Sequence, residues 1–475
     1  MYKYGIVVIG YKNEDGVKRL LKALNRVDYD NKKVVLIISI DKSENDDIRK
    51  LAEEFLWDFG DKYVVAYPER QGLRKHVLCC GDYLNTYDLD ALAVFEDDIM
   101  PSRDFFCFMQ RATEKYINNM NIAGISLYTH CVNTNIGEPF IPIRSDGDNY
   151  FIQYAQSRGQ VWFKKQWNEF RDWYKTQGKL EKDYLIPKNV SAWPDTSWLK
   201  YHIKYCILMN KYFVYPYISY STCFGEVGEH VKTRTDDYQV PLSNLQKKSY
   251  CFTEFDEAAL KYDAFFENQN LYQYCNVNKD ELLVDLYGGH VATKKRYVLT
   301  KKRLLYKILG SWGDRLIPHE MNLIYGITGN DIFLYDLNND GQIIDLSVSK
   351  VNREKIALYY EILDYWMELE EKGVRLQEYF LKNKWYHIAI YGKGKIGMHL
   401  YHRLKNTKVN VEYFIDKKEG CFEGDIQIIS PEELIPPVDV VVVTPVMEYE
   451  QISSNLKNRG IGNIISITDI LRQSS

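Results

Sequence analysis

The segment AVFEDDIMPSRDFF, residues 93–106, joins a short apolar run to three consecutive carboxylates. The apolar residues Leu92 to Phe95 predict a buried strand that ends directly at the acidic triplet Glu96 to Asp98. Burying three carboxylates at a strand end is unfavourable unless something positive binds them. A divalent cation suits the position, because hard cations take a few carboxylate oxygens from a protein and bridge them to phosphate oxygens. The alternative is an acidic turn that caps the helix beginning near Asp104, and the triplet by itself leaves both interpretations open.

Strands and helices alternate along the residues that precede the triplet. The predicted strands are Gly5–Ile9, Val34–Ile40, Tyr63–Tyr67 and Ala91–Phe95, and the predicted helices are Asp15–Arg26, Asp46–Phe59 and Gly72–Asn85. This alternation predicts an α/β fold with a parallel sheet covered by helices. Ligands of such sheets bind beyond the carboxyl ends of the strands. The residues expected at that edge are Tyr11–Asn13, Asp41–Ser43, Pro68–Arg70 and Glu96–Asp98.

Composition narrows the class of protein. The chain has 475 residues, of which 45% are apolar and 27% are charged, and its net charge is −4. We therefore expect about two or three domains with large cores, and no basic footprint for nucleic acid. The nine cysteines are irregularly spaced, which indicates neither a disulfide framework nor a zinc site.

We expect a cytoplasmic protein. The N-terminal apolar run Ile6 to Ile9 is too short for a signal-peptide core, and no apolar stretch approaches the length of a membrane-spanning helix. The most basic stretch, Lys294 to Lys307, is interpreted as a solvated helix face. A patch that docks peripherally on the inner face of the plasma membrane is the alternative for this stretch.

Several segments follow one another in an order that is typical of one family. Besides VFEDDIMPSRDFF they are IVVIGYKN (6–13), LIISIDKS (36–43), GLRKHVLCCGDYL (72–84), AWPDTSWLKYHI (192–203) and CFGEVGEHV (223–231). Together they resemble glycosyltransferases of the GT-A fold, and more narrowly the N-acetylglucosaminyltransferase I family and its bacterial capsule or lipopolysaccharide relatives. The resemblance covers roughly residues 1–300.

The resemblance implies roles for the acidic triplet. Asp98 would coordinate the metal, which is Mn2+ or Mg2+. Glu96 and Asp97 would contact the nucleotide ribose or hold the loop. The donor would be a nucleotide-sugar, and we expect it to be UDP-linked.

The resemblance also implies donor-binding residues outside the triplet. Asp41, at the end of the second strand, would bind the nucleotide base, and Arg74 would contact the donor. His76 would line the uridine pocket. The alternatives are that Asp41 is a plain N-cap of the following helix and that His76 is a helix residue with a satisfied hydrogen bond.

An inverting transfer needs a carboxylate that removes the proton of the acceptor hydroxyl. Asp195 is one candidate, because the flanking Trp193 and Trp198 would desolvate it and raise its pKa. The eukaryotic family carries an acidic residue just after the second tryptophan, where this chain has Leu199. Glu226 is therefore the second candidate for the base, and a helix N-cap is the alternative role of Asp195.

The segment CFGEVGEHV carries a further donor-side candidate. Gly225 and Gly228 predict a mobile or tightly turned loop, from which Glu229 and His230 would reach the donor phosphates or the acceptor. In the related family this region closes over the donor. A plain turn between a strand and a loop is the alternative.

The C-terminal residues predict a second, smaller nucleotide-binding fold. The segment IAIYGKGKIGMHLYHRL (388–404) places Gly392, Gly394 and Gly397 in a GxGxxG pattern between a strand and a helix, and Asp416 ends the next strand. This pattern is typical of Rossmann-like domains that bind a nucleotide. The same glycines also serve where a helix only packs on a sheet, so a second nucleotide site is one of two interpretations.

These patterns predict three parts of the chain. They are a GT-A glycosyltransferase domain at 1–300, a mostly helical connector at 301–385 and a Rossmann-like domain at 386–475. Tryptophan and tyrosine concentrate between Trp162 and Tyr220, on the expected acceptor side. Most of these rings are expected in the core, and a few are candidates for a sugar-binding platform.

The predicted function is a metal-dependent, inverting hexosyl- or N-acetylhexosaminyltransferase. Its acceptor would be a glycan or lipid-linked oligosaccharide of a bacterial surface polysaccharide. One alternative is an NAD-dependent sugar oxidoreductase built on the C-terminal glycines, which would leave the acidic triplet unused. Another is a non-catalytic sensor in which both domains bind nucleotide-sugars and neither reacts.

Overall fold

The computed structural model describes residues 2–180, 183–226, 235–244, 249–346, 350–416 and 426–474, and for 350–356 the backbone alone. The chain divides into two compact units, Met1–Ser347 (unit 1) and Val348–Ser475 (unit 2). Both units combine sheets with helices, so the predicted α/β fold class is confirmed. Among these residues, no helix is both long and apolar enough to cross a membrane.

Unit 1 is built largely of short strands. In its described part the strands are β1 (Tyr4–Gly10), β2 (Val34–Ile40), β3 (Lys62–Ala66), β4 (Ala91–Glu96), β5 (Ile99–Pro101), β6 (Ile122–Ser126), β7 (Val132–Asn133), β8 (Glu138–Pro139), β9 (Asn149–Ile152), β10 (Gln160–Phe163), β11 (Tyr212–Pro216), β12 (Ser221–Cys223), β13 (Lys261–Tyr262), β14 (Leu282–Asp285), β15 (Ala292–Thr293), β16 (Tyr297–Thr300), β17 (Lys307–Trp312), β18 (Ile332–Asp336) and β19 (Ile344–Asp345). The helices are α1 (Glu14–Leu24), α2 (Asp47–Glu54), α3 (Leu73–Thr86), α4 (Phe105–Tyr116), α5 (Lys164–Lys175), α6 (Lys188–Ala192), α7 (Trp198–Leu208) and α8 (Met321–Ile324), with 3-10 turns at Leu271–Tyr274 and Lys279–Glu281.

The main sheet of unit 1 has the strand order β13–β9–β11–β6–β10–β4–β1–β2–β3. The strands β1, β2, β3 and β4 pair in parallel, and antiparallel β10 lies between β4 and β6. A parallel Rossmann-like half that continues into mixed strands matches the predicted GT-A fold class. All residues of β1 are buried, because helices α1, α2 and α4 cover one face of the sheet and α3, α5 and α7 cover the other.

The triplet lies where β4 leaves this sheet. Glu96 is the last residue of β4, and after a two-residue turn the chain forms β5, which pairs antiparallel with β12. The backbone N–H of Phe224 donates to the carbonyl of Asp98 over 2.8 Å. The segment that leads to Glu226 is therefore held directly beside the triplet, although it lies far away in the sequence.

The domain bounds expected from the sequence differ from the structural division. Residues after 300 continue unit 1, because β17 and β18 complete a sheet of order β14–β16–β18–β17. The helical residues begin at 350 and belong to unit 2. The sequence predicts a helix face for the basic stretch Lys294 to Lys307. This prediction is wrong, since the stretch contains β16 and the start of β17.

Unit 2 contains a parallel sheet of order β22–β21–β20–β23–β24 in its described residues. Its elements are the helices α9 (Lys350–Glu371), α10 (Leu376–Lys382), α11 (Lys395–Leu404), α12 (Tyr449–Asn458) and α13 (Ile467–Gln473), and the strands β20 (His387–Tyr391), β21 (Asn410–Ile415), β22 (Gln427–Ile429), β23 (Val440–Val443) and β24 (Ile464–Ser466). Trp366 of α9 and Phe380 of α10 share one core with Ile388 of β20. The apolar face of the helical stretch therefore joins the core of this unit instead of forming a separate connector.

A glycine allows α1 to begin against the triplet. Asn13 caps the helix by accepting a hydrogen bond from the N–H of Gly16 over 2.9 Å. A Cβ at Gly16 would lie 2.5 Å from the carbonyl oxygen of Asp97. Only glycine therefore lets the first turn of α1 approach the acidic turn this closely.

Replacing Gly16 with alanine is expected to lower the free energy of unfolding of unit 1 by about 1–3 kcal/mol, because the added Cβ forces the helix away from the Asp97 carbonyl. Urea denaturation followed by tryptophan fluorescence measures the loss. Gly178→Ala is the matched control, since a Cβ there meets no atom within 4 Å. Equal losses in the two variants would contradict the close approach of α1 to the triplet.

Candidate active site at the carboxyl edge of the main sheet

Asp41 organises the turn that leads into α3. It is 3% exposed, and its carboxylate accepts backbone hydrogen bonds from Lys42, Gln71 and Gly72 at 2.7–2.9 Å. It is therefore not the N-cap of the following helix α2, whose N-cap position is occupied by Asp46. Its carboxylate links the end of β2 to the start of α3, and contact with a nucleotide base stays a prediction.

His76 lies on α3 behind this turn. Its Nε2 is 2.8 Å from Oγ of Ser39, and the hydroxyl of Tyr83 lies 3.0 Å from the same Oγ. Burial lowers the pKa of His76 to about 4, against the opposing charge of Asp41. The imidazole is therefore neutral near pH 7 and is joined to the end of β2 by a hydrogen bond, and its place in a uridine pocket stays a prediction.

The triplet concentrates negative charge in a partly buried turn. Burial raises the pKa of Glu96 to about 8, and the charges of Asp98 and Asp97 raise it further. Burial and the charge of Asp98 likewise raise the pKa of Asp97 to about 7, while a hydrogen bond from the Asn13 side chain opposes this. Burial also raises the pKa of Asp98. The turn therefore favours a bound positive charge.

Two arginines that the sequence did not single out face the triplet. Arg19 of α1 makes a bidentate ion pair with Glu226 at 2.8 and 2.9 Å. Its guanidinium lies 3.8 Å from the ring centroid of Phe224. Arg158 lies over the ring of Tyr238, and its charge lowers the pKa values of Glu96 and Asp98. In the sequence, Arg19 resembles an ordinary solvated helix residue. No motif around Arg158 predicts which residues it contacts.

The carboxylates fit a divalent cation that is also coordinated by phosphate oxygens. No group of three or more His, Cys, Asp or Glu residues in the described part of the chain forms a complete metal cage. A cation that bridges phosphates needs only one or two protein carboxylates. The raised pKa values of Glu96 and Asp97 mean that burial and the neighbouring carboxylates disfavour their ionised forms, which a bound cation would stabilise. Asp98, in the same turn, could supply one such carboxylate.

Glu226 and Asp195, the two candidates for the base, occupy different surroundings. Glu226 lies close enough to the triplet for its charge to raise the pKa values of Asp97 and Asp98. Asp195 lies beyond α6 at the mouth of a groove, where its carboxylate pairs with Lys179 at 2.9 Å and its side chain is 44% exposed. His230, the further donor-side candidate, and its neighbour Glu229 lie outside the described residues.

The expected basicity of Asp195 is corrected by these contacts. The hydrogen bond from Lys179 lowers its pKa instead of raising it. Trp198 is buried in the core against Trp162 and His202, so it does not desolvate the carboxylate. Asp195 is not a helix N-cap either, because Ser197 caps α7.

Arg74, the remaining donor-side candidate, joins Asp195 to the sheet edge. Its Nη1 donates to the carbonyl of Asp195 over 2.6 Å and to the hydroxyl of Tyr201 over 3.0 Å. Because α3 begins two residues after the Gln71 amide that binds Asp41, this arginine lies on the same edge of the sheet. The structure thus connects Asp41, Arg74 and Asp195 through a short series of contacts.

In unit 2 the glycine motif forms the predicted turn between β20 and α11. Gly392 has a φ of +97°, which favours glycine, and a Cβ at Gly397 would collide with the Gly392 carbonyl. Nothing lies within 4 Å of a Cβ at Gly394. Asp416 accepts a hydrogen bond from the N–H of Lys393 over 2.7 Å, so it stabilises the glycine turn. A nucleotide in this unit stays a prediction.

Comparisons with known proteins add weak likenesses. No protein-family model matches the chain, and no curated protein matches it. The structure of S. aureus TarS 1–349 in complex with UDP-GlcNAc matches with 13% identity and a TM-score of 0.33, over 49% of this chain and 61% of that one. The mannosyltransferase PcManGT from Pyrobaculum calidifontis, in complex with GDP-Man and Mn2+, matches with 12% identity and a TM-score of 0.29, over 46% and 58%. The chain thus spans about three fifths of the length of these two matched chains. Likenesses of this degree assign it no activity or substrate.

The buried neutral His76 predicts a loss of stability in acid. Its pKa is about 4 in the folded protein, whereas an unburied histidine has a value of 6.5. The unfolded chain therefore takes up the proton first, and up to about 3 kcal/mol of stability is lost as the pH falls from 6.5 to 4. In His76→Gln the melting temperature should fall less steeply with pH over this interval.

Ser39→Ala is the matched control for this measurement. It removes the hydrogen-bond partner of His76 but keeps the imidazole, so it should lower the melting temperature and retain the wild-type dependence on pH. Parallel pH curves for the wild type and His76→Gln would show that His76 is not the group responsible.

Proposed function

We propose that the chain is a metal-dependent, inverting glycosyltransferase that moves a hexosyl or N-acetylhexosaminyl group from a UDP-sugar to a glycan or lipid-linked oligosaccharide. The observation that carries the proposal is the acidic triplet at the carboxyl edge of a parallel sheet, with raised pKa values at Glu96, Asp97 and Asp98. Ligands of α/β sheets bind at this edge. The expected setting is the synthesis of a bacterial surface polysaccharide.

The strand ends offer a place for the nucleoside of the donor. Asp41, with the neutral His76 behind it, lies at the end of β2. Tyr11 follows β1, and the guanidinium of Arg70 lies 3.9 Å from its ring centroid. A carboxylate, an aromatic ring and an arginine at one sheet edge suit a uracil ring and its ribose. We assign this region to the nucleoside.

We assign the diphosphate to the triplet. Asp98 would hold the cation, and Glu96 and Asp97 would contact the ribose or keep the turn in place. When bound with the donor, Mn2+ or Mg2+ neutralises the negative charge that develops on the diphosphate leaving group. Arg158 adds a fixed positive charge close to Glu96 and Asp98, which limits their repulsion.

The base that deprotonates the acceptor is assigned to one of two carboxylates. Glu226 has the position beside the triplet, where Arg19 orients its two oxygens. Asp195 has the position beside a groove, where Arg74 fixes its backbone. The position of Glu226 beside the triplet favours it as the base, and the lowered pKa of Asp195 makes the Asp195 carboxylate a weak base.

The proposal includes a peripheral contact with the inner face of the plasma membrane. Leu305 is 91% exposed, and Ile308 and Leu309 of β17 are each about half exposed. The exposed Lys307 lies between them and Leu305 in the sequence. Apolar side chains next to a cation suit an anionic bilayer, where lipid-linked acceptors are presented.

Turnover of a nucleotide-sugar tests the proposal. With Mn2+, the purified chain should release UDP from a UDP-sugar, and Asp98→Asn should lower kcat/KM by about a hundredfold or more, because it weakens stabilisation of the leaving group. The assay is release of UDP across a panel of UDP-sugars. Asp61→Asn, an exposed site just before β3 and so at the opposite edge of the sheet, should keep full activity.

Two results would contradict this function. One is full turnover by Asp98→Asn, and the other is wild-type turnover that is unchanged when EDTA removes divalent cations. UDP binding without turnover across a broad acceptor panel would instead favour the nucleotide-sugar sensor.

A further inference from the structure

An open groove of about 480 Å³ adjoins Asp195 in unit 1. We call it the cationic groove, and its walls include Arg74, Arg171, Tyr174, Lys175, Lys179 and Tyr201. Four of these six side chains carry a positive charge, whereas Asp195 supplies the carboxylate among the groove residues. Arg74 lies on the edge of the sheet to which we assign the donor, so the groove adjoins that edge.

The charge of Arg74 is held in place by neutral partners. Its guanidinium donates to the carbonyl of Asp195 and to the hydroxyl of Tyr201. These contacts orient the arginine without cancelling its charge. By contrast, Arg171 is neutralised, because Asp82 accepts two hydrogen bonds from it at 2.9 and 3.0 Å.

The two lysines of the groove form ion pairs that a ligand can replace. Lys175 pairs with Asp172 and Lys179 pairs with Asp195, each at 2.9 Å, and the lysine side chains are 68% and 79% exposed. Ion pairs this exposed contribute little to stability, because water screens them. Both ammonium groups can therefore turn to an anionic ligand at little cost.

Tyr174 adds aromatic surface of the kind that sugars contact, and the buried Tyr201 packs against it. The rings of Tyr174 and Tyr201 meet edge to face, with centroids 5.1 Å apart. Such rings offer an apolar face and a polar hydroxyl at one site. A part-exposed tyrosine ring among cations therefore fits a saccharide that carries negative charge better than it fits a neutral saccharide or a free phosphate.

We propose that the cationic groove binds the acceptor, and that the acceptor is an anionic saccharide bearing phosphate or carboxylate groups. The proposal rests on the proposed function, since it names the substrate class of the same site. Arg74 contacts the anionic group nearest to the donor, Lys175 and Lys179 contact those further along, and Tyr174 packs on a sugar ring.

Binding of defined oligosaccharides tests this acceptor class separately from catalysis. The probes are a uronic-acid tetrasaccharide, a phosphate-bearing tetrasaccharide and neutral maltotetraose, and the Kd of each is measured by calorimetry at two salt concentrations. At least one anionic probe should bind about tenfold or more tightly than maltotetraose, and added salt should weaken its binding. The probe that binds identifies carboxylate or phosphate as the recognised group.

A charge-reversal pair supplies the variants. The double variant Lys175→Glu with Lys179→Glu should weaken binding of the anionic probe by about tenfold or more and leave maltotetraose unchanged. Lys165→Glu is the matched control, because Lys165 is an exposed lysine on the same helix α5 and does not line the groove. UDP affinity, measured in parallel, should be the same in all three proteins.

Four outcomes would overturn the acceptor assignment. They are no binding of any probe, equal affinity for anionic and neutral probes, equal losses in the double variant and in Lys165→Glu, and a loss of UDP affinity in the double variant, which would assign the groove to the donor. Failure of the glycosyltransferase itself gives a different pattern, namely saccharide binding that responds to the double variant without release of UDP from any UDP-sugar.

Discussion

The crowding of three carboxylates at the end of β4 is the constraint on which the rest of the candidate site depends. Burial and mutual repulsion raise the pKa values of Glu96 and Asp97 to about 8 and about 7. A hydrogen bond from the Asn13 side chain to Asp97 and the charge of Arg158 limit this repulsion. A bound cation would offset the remaining repulsion. The acidic turn is therefore more stable in a complex with a cation than in the free protein.

The sheet and the site are built by the same contacts. Asp41 links β2 to α3, and α3 brings Arg74 to the carbonyl of Asp195. Pairing of β5 with β12 brings Glu226 to the triplet, where it forms an ion pair with Arg19 of α1. A few contacts at one sheet edge therefore position the residues that we assign to the donor and to the acceptor, and the groove adjoins Arg74 at that edge.

Local sequence patterns predicted the parallel half of the sheet well. The strand Val34–Ile40 has its predicted bounds, because a continuous apolar run can only be buried on both faces. Helix α2 is shorter than predicted, since the chain extends at Phe55 and turns Trp57 and Phe59 onto Tyr29. A period of 3.6 residues does not reveal such aromatic packing between distant segments.

Contacts between distant segments explain what sequence patterns could not predict at the site. The position of Asp41 and the triplet at one edge follows from the direction of parallel strands. The ion pair of Arg19 with Glu226 and the effect of Lys179 on Asp195 depend on how loops pack, which no short motif records. The domain bounds differ because β17 and β18 complete a sheet with β14 and β16, which lie before the expected boundary at residue 300.

Calorimetric titration of UDP into the protein, with Mn2+ and then with EDTA, tests the central claim most directly. If the triplet is a site for a cation that bridges a diphosphate, UDP should bind about tenfold or more tightly with Mn2+ than without it. Equal affinity for UDP under the two conditions would contradict the account, because the carboxylates of the turn would then take no part in binding the diphosphate.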